Sequence, residues 1–460
     1  MKERRFIGSG DFYRQTLVIA LPIMIQNFIT NLVNMLDNLM VGAIGTEQMS
    51  GVSIDNQLVF IFNLALFGVL SGAGIFTAQF NGKQDDEGIR YTFRYKLLSA
   101  AMLFTAAITV FLVFEENLIS MFLHESDTQG SLEATMEYAK QYFSIILYGL
   151  LPFAVSQIVS STLRETGETV APMVTGFIAV FTNCYFNFVL IFGKFGFPVL
   201  GVRGAAIATV ISRYVECICI ITYAVINRKR FSYLRGAVRS LHIPKALAKQ
   251  ITVKAMPLLL NEFFWSFGMS LLSVGYSLHG IDVVAGNSIT STVMNLFNIA
   301  FLSLGSSIGI IVGKELGAGR FEKAIDTNRK LTVFCIIVSV GISIIVLLSG
   351  GAIPQLYKTN EASKEYAAYF IRISGCFLPA VSIANASYFT LRSGGKTWIT
   401  ILFDSVFVMC VYVPSVFILY KLGLSIWTIY PMVQALEILK ASLGIFFVRK
   451  QMWVNNIVGD

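Results

Sequence analysis

The chain has 460 residues, of which 55% are hydrophobic and only 13% charged, with a mean hydropathy of +0.68 and a formal net charge of +8. A soluble protein carries about 25% charged residues, so a water-soluble fold of this size is excluded. Only helices and closed barrels satisfy their own backbone polar groups in lipid, and the long unbroken apolar runs exclude the short alternating strands of a barrel.

A full span takes about 20 apolar residues. Six spans are predicted over residues 12–41, 52–80, 93–114, 138–163, 170–192 and 200–226. After a basic stretch, six more follow over 251–278, 283–312, 331–348, 367–391, 398–420 and 424–448. The first run is too long for a signal peptide, so no cleavable signal is expected. Lysine and arginine gather in alternate loops. The longest such loop holds Arg228, Lys229, Arg230, Arg235 and Arg239. The opposite side is poor in basic residues and carries Glu115, Glu116, Glu125, Asp127, Glu133 and Glu137. This bias puts both termini in the cytoplasm of a multi-pass protein of the plasma membrane or inner membrane. It also accounts for the net charge without a nucleic-acid partner.

An internal repeat divides the chain. Ala20-Leu21-Pro22-Ile23 recurs as Ala255-Met256-Pro257-Leu258, and Gly82 finds Gly317 at the same offset of 235 residues, from 22 to 257 and from 82 to 317. Leu163-Arg164-Glu165-Thr166-Gly167 recurs as Leu391-Arg392-Ser393-Gly394-Gly395 at an offset of 228, from 163 to 391. The expected organisation is a lobe over 1–226, a basic cytoplasmic linker over 227–250 and a lobe over 251–460. Each half has six spans, so both start on the same side. Parallel repeats of this kind place a substrate path between them.

Enzymatic motifs are missing. Cys184, Cys217, Cys219, Cys335, Cys376 and Cys410 lie in apolar runs without metal-ligand spacing and read as packing residues. His124, His242 and His279 form no metal pair, and no nucleotide-binding glycine loop is present. The expectation is a protein with no cofactor, no structural metal and no catalytic residues.

The ordered motifs resemble the multidrug and toxic compound extrusion family across nearly the whole chain. They include Val33-Asn34-Met35-Leu36-Asp37 with Met40-Val41-Gly42, Gln79-Phe80-Asn81-Gly82-Lys83, Leu163 to Gly167, and Asn183 to Gly193. Gly201 to Thr209, Pro257 to Trp265, Val312 to Gly317 and Leu391 to Gly395 continue the series. The resemblance implies an all-α integral membrane protein with two six-helix lobes related by a pseudo-twofold axis around a V-shaped central cleft. It also implies a monomer that antiports small organic cations against protons or sodium ions.

A charge inside hydrocarbon needs a reason. On the first span Asp37 shares a face with Thr30 and Asn34, so that face should turn to the lobe interior, either as a hydrogen-bond anchor or as a cation or proton site. Asp37 matches the family's first-helix aspartate. Glu262 resembles the family's seventh-helix glutamate, used for proton coupling and cation binding; the alternative reading is a helix-end residue reaching water. A sodium ion at Asp37 or Glu262 stays open. Asn183 and Asn187 are one turn apart on the fifth span and match positions lining the first lobe's cavity, with Thr209 beside them. Some members carry an aspartate where Asn187 stands, which leaves Asp37 as the only obvious acid there. Asn295, Asn298, Asn385 and Tyr388 either complete the second lobe's cavity or serve as hydrogen-bonding contacts between helices. Arg372 and Asp404 have no local partner in sequence, and either pair across helices or line that cavity. Arg213 with Glu216, and Glu437 with Lys440, are spaced to neutralise each other on one helix face. Phe263, Phe264 and Trp265 could hold an aromatic cation beside Glu262. A lipid-linked sugar flippase is the alternative function, although candidate cavity residues that are mostly acids and amides fit an anionic lipid poorly.

Overall fold

Twelve helices long and apolar enough to cross a membrane are present among the described residues of the computed structural model. The structure describes residues 6–121, 132–357 and 359–459, without the side chains of Asn34, Leu39 and Thr46. His124, Glu125 and Asp127 lie outside the described residues. In chain order the first six helices are α1 (Gly10–Gly42), α2 (Thr46–Lys83), α3 (Asp86–Val113), α4 (Leu132–Glu165), α5 (Val170–Phe192) and α6 (Gly201–Ile226). Then come α7 (Lys245–Ser277), α8 (Ile281–Gly317), α9 (Phe321–Ser349), α10 (Glu361–Ser393), α11 (Thr397–Lys421) and α12 (Ile426–Arg449).

Each predicted span is found, and most helices overrun their apolar window. Helix α9 begins at Phe321, although its apolar run begins at 331. The added turns bury Ala324, Thr327 and Asn328. Lipid demands apolarity only where it touches the chain, whereas helical hydrogen bonding and packing continue beyond it. Helix α11 departs from regular geometry, with π-helical turns over Leu402–Val406 and Val408–Tyr412. Pro414 follows at the start of the next regular segment, Val413–Lys421. Its missing N–H and its ring both disturb the preceding turn.

The repeat appears in backbone conformation. Gly167 after α4 and Gly395 after α10 have φ of +96° and +72°, the left-handed region that glycine enters at little cost. Gln84 and Gly319 are equivalent at the 235-residue offset and have φ of +60° and +70°. Gln84 therefore holds a conformation its Cβ disfavours by about 1–2 kcal/mol. Gln84→Gly is expected to stabilise the protein by about 1 kcal/mol, seen as a higher midpoint of thermal unfolding in detergent. A lower midpoint would mean that the glutamine side chain makes up for the strain.

Two compact units are distinguished, each described by itself. One comprises Met1–Met24, Ala78–Asp85 and Gln250–Asp460; the other comprises Ile25–Thr77 and Asp86–Lys249. In the first, Gly82 of α2 crosses Gly317 of α8 so closely that a Cβ on either would overlap a backbone carbonyl of the other helix. Its core stacks Phe370 on Tyr430 with ring centroids 4.0 Å apart, among Leu272, Val408, Val416 and Ile429. In the second unit, the basic stretch after α6 is docked rather than free. Arg94 of α3 donates to the carbonyls of Ala237 at 2.9 Å and His242 at 3.0 Å. Arg90 donates to Tyr233 at 3.3 Å.

Candidate functional site

The Ile25–Thr77 and Asp86–Lys249 unit encloses a cavity of about 540 Å³ between α1, α2, α4, α5 and α6. Asp37, Asn183, Asn187 and Thr209 all line it, so the structure brings together four residues singled out in sequence. The seven-residue reach from Thr30 to Asp37 puts both on the cavity side of α1. Asn183 and Asn187 come from successive turns of α5 and are buried. Asn187 Nδ2 donates to Asp37 Oδ1 at 2.6 Å. The Asn183 amide is best satisfied with its nitrogen toward Asp37, at 2.8 and 3.1 Å from the two carboxylate oxygens, and its oxygen accepting from the Thr209 hydroxyl at 3.2 Å. Two amides thus hold the carboxylate in place. The backbone of Asn34 lies on α1, while its side chain is outside the described part.

The cavity wall is rich in oxygen acceptors. Gln26 Oε1, Asn63 Oδ1 and Asn187 Oδ1 are buried and meet no donor among the described residues. Its charges are Asp37, Arg164, Arg213 and Glu216. Arg213 pairs with Glu216 at 3.5 Å, as their spacing predicts, and lies 4.4 Å over the Phe153 ring. An acid that accepts from two fixed amides, near lone pairs without donors, is suited to exchange a proton or hold a small cation.

Two buried charged groups of this unit escape the sequence reading. Asp55 of α2 is fully buried, and neither carboxylate oxygen has a partner among the described residues. It lies three residues inside the second predicted span, close enough to the end to pass for an interface residue. Lys96 of α3 is likewise fully buried. Its ammonium lies 2.5 Å from Glu165 Oε2 and 3.1 Å from the hydroxyls of Ser161 and Thr162. The absence of a side chain at Gly74 makes room for the Glu165 carboxylate. The signal was available: Lys96 falls within the third predicted span, where a lone ammonium needs a counter-charge.

A second polar cluster lies in the Gln250–Asp460 part of the other unit. Tyr388 Oη of α10 donates to Glu262 Oε1 of α7 at 3.4 Å. Asn261 Nδ2 donates to Asp404 Oδ2 of α11 at 3.0 Å, and Lys440 Nζ of α12 lies 2.6 Å from Asp404 Oδ1. Ser405 Oγ donates to the Asn261 backbone carbonyl at 2.6 Å and contacts its side-chain oxygen at 2.7 Å. Asp404 therefore pairs across helices. This corrects the expected Glu437–Lys440 pair, since the ammonium reaches a carboxylate on the facing helix rather than the one on its own. The π-helical turn over Leu402–Val406 carries both Asp404 and Ser405, an irregularity often associated with functional positions.

Other candidates stay outside this cluster. Asn295 of α8 is exposed. Asn385 turns back on its own helix and donates to the Val381 carbonyl at 3.1 Å. Arg372 is exposed, and its side chain lies against Gly350 and Gly351, so it neither pairs with Asp404 nor joins Glu262. Phe263, Phe264 and Trp265 are all exposed. Among the described residues, no group of three or more metal-ligating side chains is found.

The two halves of the chain match one family model, MatE, over residues 22–189 and 257–430. These stretches start 235 residues apart, from 22 to 257, the offset of the internal repeat. The probable multidrug resistance protein NorM of Thermotoga maritima is 26% identical over 412 residues, covering 89% of this chain and 86% of that protein. The probable multidrug resistance protein YoeA of Bacillus subtilis is 22% identical over 459 residues, covering 98% and 97%. Among solved structures, a MATE protein in a bent conformation superposes with a TM-score of 0.86 at 18% identity, covering 96% of each chain. A MOP-superfamily transporter of Pyrococcus furiosus, described as having a binding pocket of reverse polarity, superposes with a TM-score of 0.83 at 18% identity, covering 98% of each.

Proposed function

Since the chain belongs to the MatE family of multi-pass membrane transporters, we propose that it is a secondary active multidrug exporter that antiports small organic cations against protons or sodium ions by alternating access. The observation that carries this reading is Asp37, held by Asn183 and Asn187 in a cavity whose wall carries acceptor oxygens that meet no donor among the described residues. A carboxylate occupied by a proton or an alkali ion cannot hold an organic cation at the same moment. Loading one expels the other, and coupled exchange needs no further machinery. Glu262 with Tyr388 is a second such point in the other unit. The multidrug resistance names of relatives such as those of Thermotoga maritima and Bacillus subtilis support a drug-like substrate class. The basic loops support cytoplasmic termini. A lipid-linked sugar flippase fits less well, because the cavity's two arginines, Arg164 and Arg213, are balanced by two carboxylates, Asp37 and Glu216, leaving no excess positive charge for an anionic lipid.

The test is movement of a fluorescent organic cation in proteoliposomes, driven by a proton gradient or a sodium gradient in turn. Transport under one gradient identifies the coupling ion. In Glu262→Gln, the same gradient is expected to drive at least about tenfold less transport, the loss of one charged hydrogen-bonded contact. No cation movement by folded protein under either gradient would overturn the reading.

A further inference from the structure

We propose that Lys440 is a tethered cation that fills the Asp404 position and keeps a free alkali-metal ion out of it. The exporter reading supplies the reason this matters, because it narrows which ion the unit containing Asp404 exchanges. Lys440 is 8% exposed, inside a helix of membrane-spanning length. Its ammonium lies 2.6 Å from Asp404 Oδ1 and 5.8 Å over the Phe403 ring. A sodium ion bound to Asp404 would need the same space and the same lone pairs.

The neighbours fit an occupied cation position. Asn261 presents its amide N–H₂ to Asp404 Oδ2 at 3.0 Å, while its oxygen is turned to Ser405 Oγ at 2.7 Å. Asp404 thus has an amide on one oxygen and an ammonium on the other. Glu262 directly follows Asn261 in α7. Removing the ammonium leaves the Asp404 carboxylate with the Asn261 amide and without its counter-charge, and such an uncompensated buried charge is costly unless another cation takes the place of the ammonium.

The experiment compares thermal unfolding of full-length protein in detergent, with sodium chloride or an equal concentration of choline chloride. Lys440→Met is expected to gain a sodium-dependent rise of several degrees in its midpoint. Lys440→Met with Asp404→Asn, and Lys440→Arg, are expected to show no such rise. A folded Lys440→Met that ignores sodium would overturn the proposal. The wild type supplies a second measurement that does not depend on any Lys440 variant folding. Radioactive sodium binding by wild type and Asp404→Asn should be equal, and Asp404-dependent binding in the wild type would overturn the proposal. Neither readout involves drug movement, so failure here is separable from failure of the exporter reading.

Discussion

Asp37→Asn is expected to reduce gradient-driven export in proteoliposomes to the level of empty vesicles while leaving the protein folded. The amide has the shape of the carboxylate, so the cavity and the helix packing persist. It carries no charge, however, and it meets the N–H₂ groups of Asn187 and Asn183 with one oxygen where the carboxylate offers two. A hydrogen bond to a charged group is worth roughly 1.5–3 kcal/mol, or about ten- to a hundredfold in cation affinity. The exchangeable charge is lost as well, which removes the coupling step itself. The check is transport beside thermal unfolding of the same preparation. Export at the wild-type rate by Asp37→Asn would dismiss this carboxylate from the mechanism. An unfolded variant would assign it a structural role instead.

The largest expected effect on stability comes from the Lys96–Glu165 pair. Glu165→Gln leaves the fully buried ammonium of Lys96 without a counter-charge, facing only neutral oxygens of the new amide and of Ser161 and Thr162. Breaking a buried pair from one side costs about 3–5 kcal/mol, whereas replacing both partners by well-packed apolar side chains is often neutral or stabilising by about 1–4 kcal/mol. Lys96→Met is therefore expected to be destabilising alone, and Lys96→Met with Glu165→Leu to recover wild-type stability or better. A double-mutant cycle on thermal or denaturant unfolding in detergent reads this directly. If each single variant unfolds within about half a kcal/mol of wild type, the pair is not an isolated buried charge couple.

Much of the molecule was legible before any coordinates. Apolar run length alone locates twelve spans, because lipid leaves no alternative for the backbone. The repeat offsets anticipate the paired glycines, since Gly167 and Gly395 adopt the same left-handed turn and Gly82 and Gly317 make one close crossing. Polar residues stranded in apolar runs, together with the family resemblance, pointed to Asp37, Asn183, Asn187 and Thr209, and these share one cavity.

Helix ends, by contrast, overran the predicted windows, because packing rather than lipid decides where a helix stops. Lys440 was assigned to Glu437 because sequence shows only neighbours on one helix, whereas the facing helix brought Asp404 to 2.6 Å. Asn295 and Arg372 carry the same polar signal as Asn183, yet both turn to the exposed side. Asp55 and Lys96 stand near the ends of their predicted spans, where water is within reach, yet both are fully buried. Hydrocarbon thickness acts on each segment separately and is therefore written in the sequence. Which charge meets which depends on the rotation and register of packed helices, and only the tertiary structure decides that.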